Sequence, residues 1–279
     1  MRLLVTGAKG MLGHRVVAVA EQRGHEVRGT DLPELDLTDA QAVFDFIGEL
    51  GPDAVINCAA YTDVDGAEAD EELALRINME AASHAAAAAG LNDAFFVQLS
   101  TDYVFSGEAT EPYVESSKPG PRGAYGRTKL LGERALGDLG TDYAICRTAW
   151  LYGAGGKNFI DTMLRVGAER DELNVVFDQI GCPTWTGHLA PAVIDVAERR
   201  LMGIHHLAGG GQCSWHELAE EIFARVGMDV RVNAVTSEEY PLPAPRPHWS
   251  VLGTERPDAI RLPPWRDGLN EYLEEKGLL

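Results

Sequence analysis

Met1-Arg2-Leu3-Leu4-Val5-Thr6-Gly7-Ala8-Lys9-Gly10-Met11-Leu12-Gly13 is the stretch that decides the fold. Arg2–Thr6 is a short apolar run of strand character. Met11–Arg23 then places Leu12, Val16, Val19 and Ala20 on one side of a helix. Between them the glycines fall as G-x-x-G-x-x-G. Each meets a physical demand, in turn a tight turn, close backbone approach to a pyrophosphate, and close helix–sheet packing. The helix N-terminus adds free N–H groups and a positive dipole end. As bare spacing the pattern is weak; between a strand and a helix it is specific. Gly7, Gly10, Met11, Leu12 and Gly13 are therefore candidate dinucleotide-binding residues.

The same alternation continues outward. His25–Thr30 reads as a second strand, Ala40–Leu50 as a helix ended by Gly51-Pro52, and Ala54–Cys58 as a third strand. Asp70–Gly90 reads as one long helix with an alanine-rich end. Ala94–Ser100, Tyr125–Leu139 and Asp142–Trp150 follow as strand, helix and strand. Apolar runs without alternation suit a parallel sheet covered on both faces. The expected class is α/β: a Rossmann-type doubly wound parallel sheet with a smaller, mixed C-terminal substrate lobe.

After about residue 152 the rhythm changes. Phe159–Glu169 and Leu189–Leu201 look helical, Leu173–Phe177 is a short strand, and Ile204–Leu207 fits one more sheet strand. Ser214-Trp215-His216-Glu217 is a capping box opening a helix to about Val226. Prolines 241, 243, 245, 247, 257, 263 and 264 exclude long helices until Asp267–Glu275. Residues 1–152, with about 185–208, are expected to form the dinucleotide-binding domain. About 153–184 and 209–279 are expected to form the substrate lobe, covering the carboxyl ends of the strands.

Composition narrows the function. With 45% hydrophobic residues in 279, the chain can build a core and is not a disordered segment. Asp and Glu total 43 against 24 Lys and Arg, a net charge of −19 that repels a phosphate backbone, so nucleic acid is not an expected partner. No apolar run reaches the ~18 residues a bilayer span requires, and the N-terminus lacks a signal-peptide pattern. A cytoplasmic protein without a membrane partner is expected. The cations include only five lysines. An acidic, lysine-poor surface suits a salt-rich cytoplasm, with an ordinary acidic enzyme as the alternative. Cys58, Cys146, Cys182 and Cys213 form no CxxC pair and no zinc spacing, so neither a disulfide framework nor a metal is expected.

Three further features carry chemistry. Asp31 closes the second strand, where a carboxylate accepts from the adenosine ribose hydroxyls and repels a 2′-phosphate; Asp36 and Leu37 are placed to border the adenine. Tyr125 and Lys129 are one helical turn apart and share a face. An ammonium beside the phenol is expected to lower its pKa from about 10, so that the tyrosine can deliver a proton near neutrality. Ser100 and Thr101 end the fourth strand, where a hydroxyl can donate to a substrate carbonyl.

The glycine turn, the strand-end Ser/Thr and Tyr-x-x-x-Lys, in that order, resemble the extended short-chain dehydrogenase/reductases. The sequence is most similar to the dTDP-4-dehydrorhamnose reductase family, over nearly the whole chain. The likeness runs through Pro52–Asp65, Ser100–Phe105, Tyr125–Lys129, Arg147–Gly153, Asn158-Phe159, Asp178–Thr184 and Pro243–Pro247. It implies an NAD(P)H-dependent oxidoreductase that reduces the 4-keto group of a nucleotide-sugar, with NADPH and NADH both open. Thr101, Tyr125 and Lys129 would form the catalytic triad. Tyr125 would protonate the carbonyl oxygen, Thr101 orient it, and Lys129 also hold the nicotinamide ribose. Ala59, Ala60, Tyr61 and Ser100 would line the cofactor channel. Thr62, Val64, Asp102, Tyr103 and Trp150 would face the sugar nucleotide. Asn158, Gln179 and Arg246 would contact its diphosphate or base, a guanidinium suiting phosphate oxygens.

Other chemistry on this scaffold, epimerisation or dehydration, stays an alternative, although Asp102 is followed by Tyr103 rather than the Glu a dehydratase wants. So does a non-catalytic NAD(P)-binding regulatory subunit. A homodimer is compatible with either.

Overall fold

A computed structural model describes residues 1–279. Six parallel strands form the central sheet. They are β1 (Arg2–Thr6), β2 (Glu26–Thr30), β3 (Ala54–Asn57), β4 (Phe95–Thr101), β5 (Tyr143–Thr148) and an edge strand, Gly203–His206. Their spatial order is edge strand, β5, β4, β3, β1, β2. β1 thus lies between β2 and β3, and the order reverses there. In an open α/β sheet such a switch point opens a crevice beyond the strand ends. β3 is buried at every position and β4 likewise, as expected for strands covered on both faces.

Each face has its own core. On one, Leu3, Val5, Ile56 and Val97 pack against Val16 and Ala20 of the Gly13–Gln22 helix and Val193 and Ala197 of the Thr186–Glu198 helix. On the other, Leu4, Val55 and Phe96 meet Val43 and Ile47 of the Ala40–Leu50 helix and the alanines 85, 86, 88 and 89. Small side chains let that alanine-rich segment approach the sheet closely. A polar ladder crosses this sheet where the strands end. The Thr6 hydroxyl donates to Asn57 at 2.6 Å, and the Asn57 amide donates to Gln98 at 2.8 Å. Buried polar groups need such partners, and these tie β1, β3 and β4 together beneath the crevice.

Helix ends follow their local chemistry. Asp39 caps Ala40–Leu50 by accepting from the Ala42 amide, and Gly51 ends it at φ 55. Ser214 and Glu217 form the expected capping box at Trp215–Val226, which stops at Gly227, φ 70.

Several elements differ from the sequence expectation. Asp70–Gly90 is not one regular helix: Glu71–Leu75 is α-helical, Arg76–Ala81 is a π-turn, and Ala82–Leu91 is α-helical again. The wide turn seats the buried Asn78. Its side-chain oxygen accepts from the Tyr61 amide at 2.9 Å, and its NH₂ donates to the Tyr61 carbonyl and the Thr128 hydroxyl. Long-range polar contacts of this kind have no signature in helical periodicity. The segment Val64–Ala69 is also helical, capped by Asp63. Leu189–Leu201 begins earlier, at Thr186, with Pro191 still in its first two turns. In the C-terminal part, Glu172–Val176 pairs in parallel with Arg231–Val235, a strand the sequence reading leaves unassigned.

A third core, with Tyr152, Ile160, Phe223, Trp265, Leu269 and Tyr272, gathers the C-terminal elements. It draws no residue from the six strands of the central sheet, and the proline-rich segment has no regular helix until Trp265–Glu275. No helix is long and apolar enough to cross a membrane.

Candidate active site

The crevice at the switch point is a cavity of about 820 Å³. The carboxyl ends of β1 to β5 supply its floor, and Trp150, Lys157 and Trp215 supply a wall from the C-terminal side.

At one end lies the glycine turn. Gly7 has φ +67, and a Cβ there would sit 2.6 Å from the Ala59 nitrogen. Only glycine fits both demands. Gly10, Met11 and Leu12 line the cavity, but Gly13 does not. A Cβ on Gly13 would lie 2.1 Å from the Gly7 carbonyl oxygen, so its absence lets the helix begin against the turn. Asp31 lines the cavity while accepting from the Lys9 and Leu32 amides at 3.0 and 2.8 Å. Lys9 does not reach inward; its ammonium donates to the Leu32 carbonyl at 2.8 Å. Asp36 accepts from the amide and hydroxyl of Thr38, which hold its carboxyl below the usual range. Arg76, from the π-turn, reaches the cavity close enough to add to that effect. Leu37, Ala59 and Ala60 complete this end. Cradle, strand-end carboxylate and amide donors fit a dinucleotide.

At the other end, Thr101, Tyr125 and Lys129 line the same cavity. Tyr125 and Lys129 come from the Ala124–Gly137 helix and Thr101 from the end of β4. Lys129 is buried, and its ammonium donates to the Leu99 carbonyl at 2.7 Å. Burial pulls its pKa down to about 8, against the pull of Glu133. The expectation of a lowered phenol pKa is not met. Burial pushes Tyr125 up to about 12; the adjoining Thr101 hydroxyl only moderates this, and Lys129 points at the backbone of β4 instead. Desolvation of a phenolate outweighs these neighbours. Tyr125 therefore holds its proton at neutral pH. Asp102 is buried too, and burial raises its carboxyl to about 6 although the Ser250 and Thr101 hydroxyls oppose this. The Thr101 hydroxyl donates to Asp102 at 3.0 Å and accepts from the Tyr103 amide at 3.2 Å.

Ser100, Thr62, Val64, Asp102, Tyr103 and Trp150 all border the cavity. Ser100, however, spends its hydroxyl on Glu133, at 2.5 Å. Tyr103 meets Tyr125 edge-on, ring centroids 5.5 Å apart. Trp150 sits at φ 44, a left-handed backbone that is unusual outside glycine. Its indole lies over Gly181, where a Cβ would come within 2.4 Å of the ring.

Four expected contacts lie elsewhere. Asn158 does not line the cavity: its oxygen caps the Phe159–Gly167 helix through the Asp161 amide, and its NH₂ donates to the Gly153 carbonyl at 3.0 Å. Gln179 donates to the Ser237 hydroxyl. Arg246 is paired with Asp65 at 2.9 Å, tying the proline-rich segment to the first turn of the Val64–Ala69 helix. Tyr61 touches this region through its backbone contacts with Asn78. Phosphate-suited side chains and structural ones look alike in sequence, and here local capping and ion pairing claim them. Conversely, Arg76, Lys157, Trp215 and Cys58 line the cavity without having been singled out for it. Only the Cys58 position, at a strand end, carried a usable signal.

The family described as RmlD substrate binding domain matches residues 1–277. The chain is 44% identical to a dTDP-4-dehydrorhamnose reductase of Streptomyces griseus over 280 residues, covering 97% of this chain and 92% of the relative. It superposes with TM-score 0.97 on a dTDP-4-dehydrorhamnose reductase from Clostridium acetobutylicum, at 44% identity and over 99% and 100% of the two chains. A dTDP-4-dehydrorhamnose reductase from Bacillus anthracis, solved in complex with NADP, matches with TM-score 0.95 at 38% identity, over 98% and 99% of the chains.

Proposed function

This chain belongs to the RmlD substrate-binding-domain family, and on that premise we propose that it is an NAD(P)H-dependent oxidoreductase. Its substrate is a dTDP-4-keto-6-deoxyhexose, reduced at the 4-keto group. The observation that carries this reading is the convergence of Thr101, Tyr125 and Lys129 on the cavity that also contains the glycine turn. A regulatory subunit has no use for a buried, protonated tyrosine at that place.

Gly7, Gly10, Met11, Leu12, Asp31 and Asp36 would hold the dinucleotide, whose reduced nicotinamide supplies a hydride to C4. The chain does the rest. The Thr101 hydroxyl, on Asp102 in this structure, turns to donate to the carbonyl oxygen. The Tyr125 phenol gives its proton to that oxygen as charge develops. Lys129, whose ammonium is on the Leu99 carbonyl here, would hold the nicotinamide ribose and bring a positive charge to this end of the cavity. Thr62, Val64, Tyr103, Trp150 and Trp215 form the sugar-nucleotide end. Residues 1–152 with about 185–208 serve as the dinucleotide domain; about 153–184 and 209–279 serve as the substrate lobe, which the separate core there supports. A cytoplasmic location suits a nucleotide-sugar reductase of this kind.

The test is oxidation of NADPH and of NADH by the purified protein with dTDP-4-keto-6-deoxy-L-hexulose. Substrate-dependent turnover is expected with one or both. Tight dinucleotide binding without turnover on any dTDP-4-keto sugar would overturn the reading in favour of a binding subunit.

A further inference from the structure

Behind Lys129 lies a group of charges that the reduction does not itself use. Glu133 is one helical turn beyond Lys129. Arg147, on β5, grips its carboxylate with two hydrogen bonds, Nε at 2.9 Å and Nη2 at 2.6 Å. The Ser100 hydroxyl donates to the same carboxylate. Glu133 is 5% exposed and Arg147 1%, so neither charge leans on solvent. Burying such a pair costs as much as its attraction returns, so it is a poor source of stability and invites another explanation.

Its connections supply one. Ser100 stands between Leu99, whose carbonyl accepts from Lys129, and Thr101. In register, Ser100 faces Arg147 across β4 and β5. The residue that holds Glu133 is thus the chain neighbour both of Thr101 and of the Lys129 acceptor, Leu99. The charged or titratable groups around the Lys129 amine are few. They are Glu133 and Tyr125 on its own helix, Cys58 from the loop after β3, and Arg147 behind Glu133. Glu133 is the nearby carboxylate that favours the ammonium form.

We propose that Glu133 is a positioning residue for the reaction: gripped by Arg147 and Ser100, it fixes the strand end bearing Thr101 against the helix bearing Tyr125 and Lys129, and keeps the Lys129 amine protonated. This rests on the proposed reductase function for its kinetic consequence, but its electrostatic part can be read without turnover.

The chain has five lysines, so the ¹³Cε signals of labelled lysine can be resolved, and that of Lys129 identified by its loss in K129R. The titration is followed in the parent, in E133Q and in E133Q/R147M. The double variant removes both buried charges, so it folds even where E133Q, with an unpaired Arg147, does not. The Lys129 midpoint is expected to fall by about one pH unit, tenfold in proton affinity, in the double variant and further in E133Q. In variants that fold, kcat is expected to drop at pH 7.5 and recover towards lower pH, with KM little changed. An unchanged Lys129 midpoint in the folded double variant would overturn the proposal and reduce the pair to packing. Absence of turnover in the parent would sink the reductase reading while leaving the titration decisive here.

Discussion

The indole rings of Trp150 and Trp215 stack face to face at the cavity wall, with centroids 3.5 Å apart and planes within 2°. Trp150 follows β5 and Trp215 opens a helix in the C-terminal part. Phe159 packs on Trp215 from the side, centroids 4.6 Å apart. The stack is thus a rigid apolar plate joining the two halves of the crevice. Flat aromatic faces at a binding site contribute contact area at little cost in conformational freedom.

Trp215→Ala removes half of the plate while leaving Thr101, Tyr125 and Lys129 in place. The KM for the sugar nucleotide is expected to rise about tenfold, which corresponds to about 1.4 kcal/mol, with kcat much less affected. Steady-state kinetics at saturating NADPH measures both. An unchanged KM would remove Trp215 from the binding surface.

Tyr125→Phe deletes the proton donor but keeps the ring that meets Tyr103. Turnover is expected to fall by about 10²–10⁴-fold, while NADPH affinity measured by calorimetry stays near the parental value. Full activity in this variant would contradict the assignment of Tyr125 as the acid.

Asp31 presents a carboxylate where the adenosine ribose is expected, braced by the Lys9 and Leu32 amides. Asp31→Asn keeps an acceptor and removes the repulsion of a 2′-phosphate. The ratio of kcat/KM for NADPH to that for NADH should rise about tenfold, again about 1.4 kcal/mol. A ratio that stays put would show that Asp31 does not select the dinucleotide.

Asp102 gives the fold a pH dependence. Its midpoint in the folded chain, about 6, lies above the ordinary 3.8, so the fold favours the protonated acid. That contribution to stability is fully present below the unfolded midpoint and is lost as pH rises through about 6. Asp102→Asn is neutral at every pH. Its Tm should therefore gain on the parental Tm as pH rises from 4 to 7, while activity falls because Thr101 loses its charged partner. Parallel Tm curves for the two proteins over this range would count against a buried, ionising Asp102.

Much of this protein is local in origin and so legible in the chain itself. The strand–glycine–helix opening, the largely apolar, non-alternating runs of β3 and β4, and the capping box at Ser214 are patterns of near neighbours, set by sterics and periodicity. They determine a doubly wound sheet, and with it the edge at which ligands bind. Tyr125 and Lys129 share a face because a helix turns every 3.6 residues. Tertiary structure decided what depends on meetings across the chain. Asn158, Gln179 and Arg246 carry the right chemistry for a diphosphate, but a helix end, Ser237 and Asp65 claim them. Asn78 breaks a regular helix into a π-turn because it answers Tyr61 and Thr128. Trp215 reaches the crevice only because a separate core folds it back over β5. The Tyr125 proton is held firmly because desolvation, a property of the packed interior and not of spacing, governs it.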